Sequence, residues 1–403
     1  MTKLTRPELK TSLALSGVVS LRMFGLFLIL PVFAAYASKL PNATPVLVGL
    51  AIGIYGFGQM LLQVPMGWLS DRFGRRPTIT LGLLVFAAGS LMAAFAHGLI
   101  GIIIGRALQG MGAVSGASQA LAADHSHDDN RSKLMAIIGV GIGFAFVLAM
   151  IVSAPLAGHW GLTGLFLLTA ILAVLAAIFL WLIVPAPPRR EQRAEHWSSV
   201  LRMIVRPQLL ILNGSVFFMH GLLTACFVAL PMLIVRDAGI SLHSQWELYL
   251  PVMLASALVM GGLLRHVQSL AASVKLILAC ALVLALALLA FAGGSRESWL
   301  VWLGALLFFS AFNLLEATLP GLVSRLAPDH MRGAALGAYA TCQFGGAGLG
   351  GVLGGWALGL LGISGLFAGG AAVAVLWLIL LAWGRSLMLA GTAQAPASEV
   401  GVH

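Results

Sequence analysis

The sequence predicts an all-α integral membrane protein: twelve transmembrane helices in two six-helix bundles, with both termini cytoplasmic. Three observations carry that expectation. The chain of 403 residues is 60% hydrophobic and only 9% charged, and its mean hydropathy of +1.00 lies outside the range of soluble domains. It divides into apolar runs, each long enough for a helix of about 20 residues to cross hydrocarbon. Its basic residues collect in alternate connections between those runs.

In chain order the runs cover roughly 12–36, 46–70, 77–97, 99–122, 132–156, 163–184, 208–235, 246–267, 271–292, 298–325, 332–358 and 363–385. Backbone groups in lipid must bond within their own segment, so these spans are helices rather than open strands. Pro31, Pro65, Pro155, Pro231 and Pro251 fall inside them and can kink them. With both termini inside, 18 of the 23 Lys and Arg residues fall in inner loops and tails. The outer loops hold only Lys39, Arg236 and Arg296, and Arg22 and Arg106 lie within spans. That asymmetry sets the orientation. It also makes the net charge of +10 a topology signal and an attraction to anionic lipid at the cytoplasmic face, not a nucleic-acid footprint.

The start, MTKLTRPELK, is too polar for a cleaved signal peptide. Cys226, Cys280 and Cys342 lie in apolar runs and read as packing residues. HSHDD (125–129) offers His125, His127, Asp128 and Asp129, but a short solvated loop lacks fixed ligand geometry, so no metal is expected. No GxxxxGK[ST] segment is present, so ATP-driven work by this chain is excluded on motif grounds and no cofactor is expected. Energy then comes from ion gradients. No cluster of nucleophile, base and metal ligands supports a membrane enzyme.

The longest inner connection begins PAPPRREQRAEH and reads as a linker. The expected division is an N-terminal bundle over 1–184, a cytoplasmic linker over 185–207, a C-terminal bundle over 208–385 and a cytoplasmic tail over 386–403. Arg131 and Arg332 stand 201 residues apart in similar connections, as expected for an internal repeat.

The densest charge in the chain is GWLSDRFGRRP (67–77), a short loop between two long apolar runs. Gly67 and Gly74 would let helix ends approach closely. Asp71 is expected near the start of the third span, where exposed N–H groups favour a carboxylate. Arg75 and Arg76 can grip carboxylates or lipid phosphates. Asp124 ends the fourth span on the same side and is the natural partner. The loop resembles the signature of the major facilitator superfamily, roughly G-x-L-x-D-R-x-G-R-R/K, at Gly67, Leu69, Asp71, Arg72, Gly74, Arg75 and Arg76. The resemblance extends over LRMFGLFLILPVF (21–33), GRALQGMGA (105–113) and FNLLEATLPGLVSRLAP (312–328), and points to the YajR-type branch of proton-coupled efflux proteins. It implies that Asp71, Arg75 and Asp124 form a charge network holding the inner ends of the two halves together in an outward-facing state. A topology anchor with ordinary interfacial salt bridges is the alternative. Two departures are visible. The protein that gives the branch its name carries a small soluble domain after its last span, whereas about 18 residues follow residue 385 here, so none is expected. The antiporter pattern of the fifth span matches at Gly143, Pro155 and Gly158 but not at Met150, Ala154 and His159.

Ionisable groups at membrane depth are functional candidates because insertion costs about 2.5–3.5 kcal/mol each. Glu316, the one carboxylate near mid-span, can exchange protons with the two sides in turn, or can make one fixed interhelical bond. His220 has the same two readings. Arg106, with Gln109 and Gly110, resembles the R-x-x-Q-G pattern of proton-coupled family members, in which the arginine helps govern protonation; the alternative is a structural arginine. Arg22 could contact an anionic substrate, pair with another helix or tune the proton site. No carboxylate sits mid-span in the first half, which argues against a dicationic substrate. Tyr55, Gln59 and Gln63 step by four, as do Tyr339 and Gln343; Asn213 shares a face with His220, and Asn313 with Glu316. These polar stripes face a cavity or a neighbouring helix. Gly346, Gly350 and Gly354, with Gly351 and Gly355 beside them, form a small-residue track expected to pack against the second span near Gly67. The function implied is a monomeric secondary transporter of the inner membrane, moving small amphipathic molecules by alternating access and exporting them in exchange for protons. An uptake symporter or facilitator of the same fold is the alternative.

Overall fold

A computed structural model describes residues 5–125, 131–185, 202–267, 269–294, 297–328 and 331–390. The connection from 186 to 201, with Arg189, Arg190 and Arg193, lies outside them, as do His127, Asp128, Asp129, Arg296 and the tail from 391. The long helices among the described residues are α1 (Arg6–Ala37), α2 (Pro45–Phe73), α3 (Arg75–Ala94), α4 (Leu99–Met111), α5 (Ser115–Asp124) and α6 (Arg131–Ile183), then α7 (Pro207–Asp237), α8 (Trp246–Leu264), α9 (Leu270–Ala292), α10 (Trp299–Leu326) and α11 (Arg332–Ala390). Ten stretches among the described residues are helical, long and apolar enough to cross a membrane.

Local chemistry sets several starts and stops. Thr5 and Glu8 form a capping box, with the Thr5 N–H donating to Glu8 Oε2 at 2.9 Å. α1 therefore begins six residues before the apolar run. Thr44 accepts from the Leu47 N–H at 3.2 Å, and Pro45 occupies the first position of α2, where a missing N–H costs nothing. Ser269 caps α9 in the same way. The helices run on through the five internal prolines the sequence points to, and through Pro320 as well.

Two helices are too long for one crossing. α6 has 53 residues and α11 has 59, or about 80 and 90 Å at about 1.5 Å per residue, against about 30 Å of hydrocarbon. Each breaks at a glycine: Gly161 with φ 63° and ψ −171°, and Gly362 with φ 69° and ψ −173°. These two glycines are 201 residues apart (362 − 161), the same interval as Arg131 to Arg332, and they repeat the same backbone turn. The second difference from expectation lies in the fourth span. It is not continuous: α4 stops at Met111, residues 112–114 are non-helical, and α5 restarts at Ser115. The equivalent position one interval later, Asn313, lies in unbroken α10.

The largest apolar cluster is built from residues 203–388, joined by Phe146 and Met150 from α6. Three smaller clusters are built almost wholly from residues before 185. Contacts across the sequence midpoint run α2 to α11, α1 to α7 and α6 to α8. The α2–α11 contact is a backbone approach. A Cβ on Gly351 would lie 2.6 Å from Gly53 N and 2.7 Å from Gly53 Cα. Gly346, Gly350 and Gly354 face the opposite way, onto Phe217, Gly221 and Ala225 of α7. The expected contact with the second span thus holds for Gly351 and Gly355, but at Pro45, Gly49 and Gly53 rather than near Gly67, and it fails for Gly346, Gly350 and Gly354. The track packs on α7, its neighbouring glycines pack on Gly49, Gly53 and Gly56, and a Cβ on Gly67 would meet nothing within 4 Å. Gly351→Leu is expected to force α2 and α11 apart, a misfit of about 1–3 kcal/mol or more. The checks are thermal unfolding in detergent and uptake into proteoliposomes. A variant as stable and active as its parent would show that the close approach is dispensable. Val140, Leu182, Leu258 and Trp383 stand exposed on the exterior, the composition of a lipid-facing surface.

Candidate functional site

Three polar groups interrupt this apolar framework. The first lies where α2 meets α3. One residue, Gly74, separates the two helices, and its φ of 98° demands glycine. Arg75 then donates through Nε to Asp124 Oδ2 at 2.9 Å, through Nη1 to Ser70 Oγ at 3.1 Å, and through Nη1 to Asp71 Oδ1. The Arg75 side chain is 7% exposed, Asp124 15% and Asp71 52%. The expected partners therefore meet, with three corrections. Asp71 lies in the last turn of α2, not at the start of α3, so the helix dipole disfavours it and Arg75 offsets that cost. All three acceptors precede residue 125, so these bonds tie α2, α3 and α5 together within the first half rather than linking the halves. Gly67 makes no close approach. Arg72 and Arg76 stand apart from the acids. Arg72 lies over the exposed rings of Trp68 and Phe73, and Arg76 lies 5.5 Å over Trp181. Sequence reading missed Ser70; its serine sits four residues inside the signature with no pattern of its own.

The second group fills the middle of the first half. Arg22 Nη2 donates to Tyr55 Oη at 2.9 Å and to the Gly112 carbonyl at 3.4 Å, a carbonyl freed by the break between α4 and α5. Its guanidinium also lies 5.3 Å over Phe86. Arg106 donates to the Ala51 and Ile52 carbonyls at 3.2 and 3.3 Å and to Gln109 Oε1 at 3.0 Å, and sits 5.1 Å over the Tyr55 ring. Gln109 in turn donates to Ser90 Oγ at 2.7 Å. Both arginines are buried, and every acceptor named is uncharged. Gln59 and Gln63 are buried one and two turns along α2 from Tyr55, and no side-chain polar atom of either has a hydrogen-bond partner.

The third group lies between α7, α10 and α11. His220 Nδ1 approaches the Val216 carbonyl at 3.3 Å, and a carbonyl only accepts, so Nδ1 carries the proton. Nε2 then accepts from Gln343 Nε2 at 2.8 Å. Glu316 Oε2 lies 3.7 Å from the same ring nitrogen. The Glu316 side chain is 40% exposed, yet Oε2 itself is buried and accepts no hydrogen bond. The Tyr339 hydroxyl is buried without a partner, as is Asn213 Oδ1. Asn313 does not join Glu316: its amide donates to Ser256 Oγ of α8 at 2.7 Å. Their shared face splits between two neighbours, which a spacing of three allows. Among the described residues no three His, Cys, Asp or Glu side chains gather as metal ligands.

A model of the Major Facilitator Superfamily matches residues 15–351. The chain belongs to that superfamily. It is 39% identical over 379 residues, 93% of its own length and 83% of the other's, to the inner membrane transport protein YajR of Escherichia coli K12. It is 32% identical over 378 residues, 92% of this chain and 95% of its counterpart, to an uncharacterized transporter of Buchnera aphidicola subsp. Baizongia pistaciae. The fold matches the crystal structure of the POT family transporter PepTSo with a TM-score of 0.74 at 15% identity, over 96% of this chain and 99% of that one. The chain is a membrane transporter of this superfamily and not an enzyme.

Proposed function

We propose that the chain is a secondary active transporter of the cytoplasmic membrane that exports small amphipathic molecules in exchange for protons by alternating access. Twelve spans follow when α6 and α11 each cross twice, turning at Gly161 and Gly362, and α4 with α5 crosses once. Six spans then precede the 185–207 connection and six follow it, and the basic residues put both termini in the cytoplasm. The repeated glycine turn 201 residues on supports two related bundles.

The observation that carries proton coupling is the His220–Glu316–Gln343 group. A carboxyl oxygen is held 3.7 Å from an imidazole nitrogen, with no fixed hydrogen bond of its own, while the rest of its side chain remains accessible. That arrangement supports a group that exchanges a proton over one locked into packing. A proton reaching His220 Nε2 must displace the Gln343 amide or turn it over, so protonation is read by α11, which touches both α2 and α7. The Arg75 clasp keeps the ends of α2, α3 and α5 moving as one body. Arg72 and Arg76, beside exposed aromatic rings, suit anionic lipid headgroups. The chain needs no bound cofactor for this work and is assigned as a monomer.

The test is reconstitution into proteoliposomes loaded with a pH-sensitive dye and challenged with a panel of amphipathic compounds. Antiport predicts proton movement opposite to compound movement. The missing glycines at Met150, Ala154 and His159 favour a second reading, uptake symport or facilitation. Proton and compound moving together would establish symport, and compound movement without protons a facilitator.

A further inference from the structure

The break in the fourth span and the empty hydrogen bonds around it point to a ligand. α5 has ten residues; the Ser118 N–H donates to the Val114 carbonyl at 2.9 Å, and the N–H groups of 115–117 have no carbonyl one turn back within the helix. They lie mid-chain in a membrane-length stretch, where water does not satisfy them cheaply. Gln63 faces that turn: its Nε2 lies 3.3 Å from where a Cβ on Gly116 would stand. Gln63 is 4% exposed and Gln59 is fully buried, and all four of their amide atoms lack partners. Ser118 Oγ, one turn into α5, is buried and unpartnered as well. Arg22 reaches the other side of the break through the Gly112 carbonyl, and its Nε is buried without an acceptor.

The charge balance is one-sided. Arg22 is 1% exposed, and its hydrogen-bond acceptors are a phenol, a carbonyl and the Met23 thioether, all uncharged. A buried guanidinium without an anion is costly, and bidentate carboxylate or phosphate is its best partner. Arg106, by contrast, is already satisfied by three oxygens. A buried cationic donor with only neutral partners on one side of the break, and the positive end of a helix faced by the unpaired Gln63 amide on the other, form an anion cradle, with the unpaired Gln59 amide one turn along α2 from both Tyr55 and Gln63.

We propose that Arg22, Tyr55, Gln59, Gln63 and the first turn of α5 bind the single carboxylate or phosphate headgroup of the carried molecule, so that the substrates are amphipathic organic anions. This rests on the transporter reading above and names its substrate class. An inside-negative membrane potential favours the outward movement of such an anion.

The test uses the full chain purified in detergent and needs no transport. Thermal unfolding is followed with benzoate, salicylate and phenyl phosphate, with salicylamide as the neutral counterpart, and with chloride and inorganic phosphate. At least one organic anion is expected to raise the unfolding temperature saturably, while salicylamide does not. Its affinity is expected to fall by at least about tenfold in Arg22→Gln and Gln63→Leu, the loss of a charge-assisted contact or of its oriented neighbour. Should Arg22→Gln fail to fold, Gln63→Glu decides. That variant supplies the anion from the protein, so it is expected to unfold at higher temperature than the parent and to lose the response to added anions. No response from the parent to any organic anion would overturn the proposal, as would a response that survives Gln63→Glu. An equal response to inorganic phosphate would overturn the headgroup assignment. Neutral or cationic compounds carried by a chain that binds no anion would sink this site and leave the transporter reading. Anion binding with no compound movement would do the reverse.

Discussion

Glu316→Gln is expected to cut compound-driven proton movement by at least about a hundredfold, the usual contribution of a positioned proton-transfer group. The variant should fold as well as its parent. Glutamine keeps the shape of the side chain, and Glu316 Oε2 makes no hydrogen bond that the structure would lose. Its amide can still meet His220 and the accessible space beside it. What disappears is the ability to take up and release a proton, so compound binding by the variant should no longer vary with pH in the range where the parent's does. Glu316→Asp, which keeps the carboxyl but draws it away from His220, should retain part of the flux. Proteoliposome dye assays at matched protein density check both. Flux through Glu316→Gln at the parent's rate would remove this carboxyl from the mechanism.

His220→Ala separates two roles within the same group. It removes the acceptor that holds the Gln343 amide and the neighbour that faces Glu316. If Glu316 alone carries the proton, this variant keeps proton coupling but loses its link to α11. Compound movement would then slow while the ratio of protons to compound stays fixed. If His220 is the carrier, the ratio itself collapses. Measuring both fluxes on one preparation distinguishes these outcomes.

Much of this framework is written in the sequence, because lipid imposes a simple rule: long apolar runs must be helices, and charges must have a reason to be among them. The Arg75–Asp124 pair was legible for that reason. A dense charge cluster in an apolar chain, with an acid ending the neighbouring span, left few partners for Arg75. The extent of that clasp was not legible, since whether it joins two halves or three helices of one half depends on packing. Helix termini were blurred where capping, not hydropathy, sets them, as at Thr5 and Glu8. The break at 112–114 hid within GRALQGMGAVSG, where glycines read equally well as close packing. Arg22 and Tyr55 were each conspicuous, but their pairing across α1 and α2 follows from helix neighbours that no spacing rule gives. The same blindness applied to Asn313, whose partner Ser256 lies on another helix.

Arg75→Ala is expected to have the second large effect, and the graded exposure of its partners predicts how their own variants will rank. Arg75 is nearly buried and serves three oxygens at once. Removing it strands Asp124, 15% exposed, and Ser70, 1% exposed. Breaking a buried pair costs about 3–5 kcal/mol, and partial access of water to Asp124 brings the expectation to about 2–3 kcal/mol. Asp124→Asn keeps the shape but loses the charge, for about 1–2 kcal/mol. Asp71, half exposed and at the unfavourable end of α2, should matter least for stability: Asp71→Asn is worth about 0.5 kcal/mol or less, since water screens the pair and the dipole penalty is relieved. Transport should follow the same order if the clasp keeps α2, α3 and α5 moving as one body. Asp71→Asn would then insert normally and lose only part of its rate, while Arg75→Ala would lose most of it. Unfolding temperature and initial transport rate, measured at equal surface expression, test the ranking. If Asp71→Asn proves as damaging to transport as Arg75→Ala while leaving stability untouched, the acid acts on a partner outside the first half in another state of the cycle, and a clasp confined to three helices is the wrong account of it.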